Sequence, residues 1–151
     1  MPSMKFETVI NKPAADIFNL LADFQHYSKW LPSEGLYEEI QQVSDTPIKL
    51  GTTYLDNGST GLLQGSVTEF QPPTRLSFRE TATIKRVIKL GTLTIQIRYA
   101  LEPQGSATLL TREFTLDLGG ILRLVQGPAV NAIRKENERI LRYLKIYLEA
   151  Q

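Results

Sequence analysis

The chain contains no cysteine. Disulfides, thiolate metal sites and cysteine nucleophiles are excluded together. Histidine is nearly as scarce. His26 is the single imidazole, so a structural zinc site has no ligand set to draw on. An excess of charge of one sign is also missing. Seventeen Lys and Arg against sixteen Asp and Glu leave a formal +1, too little for a field that would gather nucleic acid or an anionic membrane. No uninterrupted apolar run approaches the ~18 residues of a membrane span. "MPSMKFETVINKP" has no apolar stretch behind a basic start, so no signal peptide is expected. Phosphate-cradling glycine motifs are lacking as well: Gly58-Ser59-Thr60-Gly61 has neither the lysine nor the helix that would follow. These absences predict a soluble, cytoplasmic protein with no metal, no cofactor, no nucleic-acid partner and no integral membrane segment; the missing cysteines suit a reducing compartment.

What is present suffices for a core. With 151 residues, 42% apolar and 22% charged, residues 1–151 fit a single domain. "MKFETVIN" places Phe6, Thr8 and Ile10 on one side and Lys5 and Glu7 on the other, the period of a half-buried strand. Asn11 is the expected N-cap of a helix with Pro13 in its first turn, and Ala14, Ile17, Phe18, Leu20 and Leu21 carry its apolar face. Asp23 ends it or caps a second short helix, "FQHYSKWL", closed by Pro32 and Gly35. Strands follow: "LYEEIQQV", "TTYLD" up to a turn at Asp56-Asn57-Gly58-Ser59, "GLLQGSVTEF" up to Pro72-Pro73, "TRLSFRETATI", "TLTIQIRYAL" up to a turn at Glu102-Pro103-Gln104-Gly105, and "SATLLTREFTLDL". Amphipathic alternation with short connections predicts an antiparallel meander, wet on one face and dry on the other. From Gly119-Gly120 the period becomes helical, with Val125, Ala129, Ile133, Ile140, Leu144 and Leu148 in one stripe. Gly127-Pro128 is expected to kink or interrupt a helix that would otherwise run ~45 Å.

This order of elements resembles the START/Bet v1-like superfamily, which includes polyketide cyclase/dehydrase and lipid-transport proteins. The opening "FETVINKPAADIFNLLADFQHYSKWLP" is similar to the family's strand, proline-initiated helix and aromatic second helix. "GSVTEFQPPTRLSFRE" is similar to its hairpin, and the likeness extends over residues 3–149. The resemblance implies an α+β helix-grip fold: a curved antiparallel sheet of six or seven strands wrapped around the C-terminal helix, with two short helices after the first strand. It also implies a cavity between sheet and helix for an apolar small molecule. No catalytic residue carries over, because enzymatic branches place their polar groups at different positions.

Charged residues on the dry parity of a strand are the sharper clue to a site. Glu80 shares its side with Leu76, Phe78 and Ala82, and Arg112 shares its own with Leu110, Phe114 and Leu116. Burying either alone would cost several kcal/mol, so each should pair, reach a mouth or face a polar ligand group. A β-bulge that flips the parity is the alternative. Tyr99 has a hydroxyl to satisfy in an apolar row, and Asn137 lies on or beside the stripe of the last helix. Trp30, with Phe24 and Tyr27, can line a pocket, pack the short helices, or do both. His26 has no partner at a telling spacing and reads as solvated or capping. The candidate ligand-binding residues are Trp30, Tyr54, Phe78, Glu80, Ile97, Tyr99, Arg112, Phe114, Ile133 and Asn137. The predicted function is carriage or sensing of a lipid, polyketide or similar molecule. A cyclase/dehydratase-like enzyme using a buried Glu80/Arg112 pair, and a protein-interaction module with a collapsed cavity, are the alternatives. Monomer and dimer both remain open.

Overall fold

From the N-terminus the chain forms β1 (Ser3–Ile10), α1 (Ala14–Ala22), a 3-10 helix (Phe24–Lys29), β2 (Tyr37–Gln41), β3 (Thr53–Gly58) and β4 (Gly61–Gln71). It continues through β5 (Arg75–Lys85), β6 (Lys89–Gln104), β7 (Ala107–Leu118), a second 3-10 helix (Gly120–Val125) and α2 (Gln126–Glu149). This computed structural model describes residues 3–32, 37–58, 61–85 and 89–151. Gly35, expected to close the second short helix, Leu36 of the expected strand, and Ser59 and Thr60 after Gly58 lie outside them.

Alternation decides the sheet. Along β7 every even residue from Thr108 to Leu118 is buried, and β1 buries Met4 and Ile10 while Lys5, Glu7 and Val9 face out. The seven strands lie in the order β1-β7-β6-β5-β4-β3-β2, every neighbouring pair antiparallel. Register shifts occur at Tyr37/Glu39, Val67/Glu69 and Ile84/Lys85. None touches Glu80 or Arg112, so both keep the inward parity that the sequence gives them.

The sheet's dry face needs a cover, and α2 with α1 supplies it. Ile17, Leu21, Leu76, Leu110 and Leu144 meet in the larger core cluster, each fully enclosed. Met4, Phe114, Leu116 and Leu118 form a smaller one, against which Leu122, Val130 and Ile133 pack. Along α2 burial is uneven: Asn137, Ile140, Leu141, Leu144 and Leu148 are buried, and no residue before Asn137 is. The last turns are also tied to the end of β1. The Asn11 amide donates to Glu149 Oε2 at 3.0 Å, and Lys145 Nζ donates to the Val9 carbonyl at 2.7 Å.

Four local expectations are corrected. Pro13, extended at φ −61 and ψ 150, is the residue that caps α1 in place of Asn11, and no side chain bonds the free amides there. The helical run from Gly119-Gly120 is interrupted slightly before Gly127-Pro128, at Val125 (φ −105, ψ 12), and the dipeptide does not break α2 itself. It lies in the first turn of α2, where a proline removes no bond the helix would have made, and the helix is 24 residues long. That is ~36 Å. The turn signal Asp56-Asn57-Gly58 does not end β3, because the strand runs through all three and pairs Asp56 with Leu63 of β4. The β6–β7 reversal is likewise tighter than expected, with Gln104 opposite Ala107 and Gly105 at φ +65. Pro103 stays in β6 opposite Thr108, beyond the end of β5 at Arg75, where its missing N–H leaves no gap in the β5 ladder.

Candidate functional site

Inward residues of β5, β6 and β7 stack in rungs. Leu76, Tyr99 and Arg112 make one, Phe78, Ile97 and Phe114 the next, and Glu80, Ile95 and Leu116 a third. The third continues through Gly65 to Tyr54 on β4 and β3. An apolar rung therefore separates two that carry polar groups. Above them lies a cavity of about 640 Å³, bounded by these rungs, by Phe24, Tyr27 and Trp30, and by Ala129, Ile133, Asn137 and Ile140 of α2. All ten candidate residues, from Trp30 and Tyr54 to Ile133 and Asn137, line this one space. Its aromatic flank is continuous: Phe24 meets Tyr54 and Phe78 edge-on or tilted at 4.9 and 5.0 Å, and Phe78 meets Tyr99 at 6.3 Å. Trp30 is buried and stacks obliquely on Tyr27, and its indole Nε1 has no hydrogen-bond partner among the described residues.

The two polar rungs are built differently. Arg112, 5% exposed, donates from Nε to Asn137 Oδ1 at 2.6 Å and from Nη1 to the Tyr99 hydroxyl, and its guanidinium lies 5.2 Å from the Tyr99 ring centre. Asn137 donates its own amide to the Ile133 carbonyl at 2.8 Å, which orients Oδ1 toward the arginine. It is 1% exposed, which places it on the buried stripe of α2 and not beside it.

At the other rung the Tyr54 hydroxyl donates to Glu80 Oε2 at 2.7 Å. Tyr54 can lie there because its neighbour across the ladder is Gly65. A Cβ at that position would sit 2.7 Å from the Tyr54 hydroxyl oxygen and closer still to its ring. Burial, then the negative charge of Glu80, hold the Tyr54 phenol well above its ordinary value, so it remains a donor.

Asp56, unforeseen, stands one rung beyond, opposite Leu63 of β4, and lines the same space. Its Oδ1 is enclosed and unpartnered among the described residues. Burial and the neighbouring Glu80 push its carboxyl up to about 9, with Arg112 pulling the other way. The sequence did carry a signal, since Asp56 shares the parity of Tyr54, but its place before Asn-Gly marked it as a turn residue.

Glu80 and Arg112 each find partners inside, but not each other, the pairing that the enzyme alternative used. Glu80 engages Tyr54 and Arg112 engages Asn137 and Tyr99, with no ion pair between the two. His26 lies outside the cavity wall. Its exposed ring does have a carboxylate partner, Asp23, 2.8 Å from Nδ1, three residues earlier in the chain. Among the described residues no three His, Cys, Asp or Glu side chains are grouped to hold a metal.

A cavity held between a sheet and a terminal helix invites comparison with known families. The family described as polyketide cyclase/dehydrase and lipid transport matches residues 1–149. The chain belongs to that family. Solved structures of START-like fold agree with this family membership in architecture. A hypothetical protein from Helicobacter pylori has a TM-score of 0.77 at 16% identity, covering 97% of this chain and 88% of its own. A START superfamily protein from Mycobacterium smegmatis has a TM-score of 0.74 at 14% identity, covering 98% and 97%. The Aha1 dimer from Colwellia psychrerythraea has a TM-score of 0.63 at 15% identity, covering 99% and 97%. No curated protein matches in sequence. At these identities the neighbours speak for the fold. No helix among the described residues of this family member is long and apolar enough to cross a membrane.

Proposed function

We propose that residues 1–151 act as one START/Bet v1-like domain that binds a hydrophobic small molecule between the sheet and α2, as a carrier, sensor or accessory protein. The observation that carries this reading is the cavity itself: about 640 Å³ walled by Phe24, Trp30, Phe78, Ile97, Phe114 and Ile133 among others. A lipid- or polyketide-like molecule placed there would gain about 25 cal/mol for each Å² of apolar surface removed from water. Native mass spectrometry of freshly purified protein, followed by solvent extraction, should find a bound apolar species. The delipidated protein should in turn bind a hydrophobic dye, and the same spectra separate monomer from dimer. Repeated empty preparations that also fail to bind the dye would sink the reading.

One observation favours a second reading, a cyclase- or dehydratase-like enzyme. Asp56 keeps a proton beside the Glu80 carboxylate within the same apolar space, so an acid and a base lie together where water is scarce. The direct Glu80/Arg112 pair is no part of this version. The open interior gives no support to a module with a collapsed cavity.

A further inference from the structure

Arg112 cannot shed its charge, and no described residue forms an ion pair with it. Its two protein partners, the Asn137 amide oxygen and the Tyr99 hydroxyl, are neutral. Among the described residues no carboxylate lies within 4.0 Å of it. Glu136, the acidic residue α2 contributes to the wall, is paired with Arg139 at 2.7 Å, and Glu80 is engaged by Tyr54. Nη2 has no acceptor among the described residues. A guanidinium 5% exposed, fixed in direction by neutral groups and left with free N–H donors on a cavity wall, is arranged for an anion from outside the protein. A carboxylate suits it, since two oxygens match the planar fork of N–H groups.

Two rungs away stands the second polar station. Glu80 sits across from Ile95 and Arg112 across from Tyr99, four residues further along β6. The backbone offset between them is ~14 Å along the strand and ~10 Å across two strand spacings. Between them the floor is Phe78, Ile97 and Phe114, which can only accept an apolar body. At the second station one carboxyl holds a proton beside a carboxylate, so the pair presents a donor and acceptors together. A hydroxyl or carbonyl is the group that matches a pair of neighbouring carboxyls on the cavity wall.

We infer that the occupant is an apolar carboxylate, its head group on Arg112, its body on the Phe78-Ile97-Phe114 rung, and a hydroxyl or carbonyl further along facing Asp56 and Glu80. This rests on the binding reading above and specifies its ligand class. Asn137 and Tyr99 act as positioning residues for the guanidinium.

The test is displacement of Nile red from delipidated protein by three ten-carbon probes: decanoate, 1-decanol and 10-hydroxydecanoate. Decanoate should displace the dye at about tenfold lower concentration than decanol, the scale of a charge-assisted hydrogen bond. The hydroxy acid should gain several-fold more. Arg112→Gln should bring acid and alcohol to parity while the dye still binds. Asp56→Leu should remove only the increment from the hydroxyl. If Arg112→Gln does not fold, the wild-type acid-to-alcohol ratio decides alone. Equal displacement by acid and alcohol from a protein that binds Nile red overturns the carboxylate assignment and leaves the binding reading standing. Failure of the dye and all three probes removes the binding reading itself.

Discussion

Asp56 keeps a proton that an aspartate in water loses near pH 4, and this has a consequence for stability. Its carboxyl is raised from 3.8 to about 9 in the folded chain, so between those values the folded state binds a proton that the unfolded chain has released. Stability from this group is complete below pH 4 and is lost as pH rises toward 9. The slope is at most about 1.4 kcal/mol per pH unit for one proton. In Asp56→Asn that loss should vanish, so melting temperatures of wild type and variant followed from pH 5 to 9 should diverge in slope. Parallel curves would show that Asp56 titrates normally. Gly65 sets a second residue-level test. Gly65→Ala drives a methyl into the Tyr54 ring and should cost about 1–3 kcal/mol in denaturant unfolding. Removing the ring with Tyr54→Leu should relieve that strain, making the double variant more stable than the sum of the two single losses. Glu80 and Arg112 were legible as site residues because charge on a dry parity is conspicuous. Asp56 was hidden by Asp-Asn-Gly, which fits a turn locally but is overruled by pairing with β4. Gly65 was invisible, since only the cross-strand register reveals the ring lying over it.

At the scale of elements, α2 is held by its second half. Leu144 is fully buried and Ile146, two residues on, is 58% exposed. Leu144→Ala should therefore cost about 2–5 kcal/mol. Ile146→Ala should stay within about 0.5 kcal/mol of wild type. Chemical denaturation of both variants measures the contrast, and comparable losses would contradict the face assigned to the helix. The elements were well read from periodicity, because β1 and β5 to β7 alternate cleanly and the C-terminal stripe repeats at helical spacing. Their ends were read less well. Pro128 marks the start of α2 where its type alone suggested a break, and Pro103 is tolerated within β6 because that strand outruns its β5 neighbour. Which of the two roles a proline takes depends on where neighbouring strands and helices stop, and that is a tertiary fact.

For the molecule as a whole, the grip of the sheet on α2 follows from amphipathic strands that have few other large apolar surfaces to cover them. The order of elements was enough to anticipate it. The size of the space left between them was not, since it depends on how α2 leans while its last turns are moored to β1 through Glu149 and Lys145. Cavity and family membership together make occupancy the first property to measure, and the chain offers an optical means of doing so. Trp30 is the only tryptophan, and it stands in the cavity wall with an indole N–H that no described residue accepts. Its fluorescence therefore reports on the interior with no background from other indoles. Loading delipidated protein with an apolar ligand should move the emission maximum or its intensity, and Trp30→Phe should abolish the signal while dye binding persists. The protein carries its own fuel gauge.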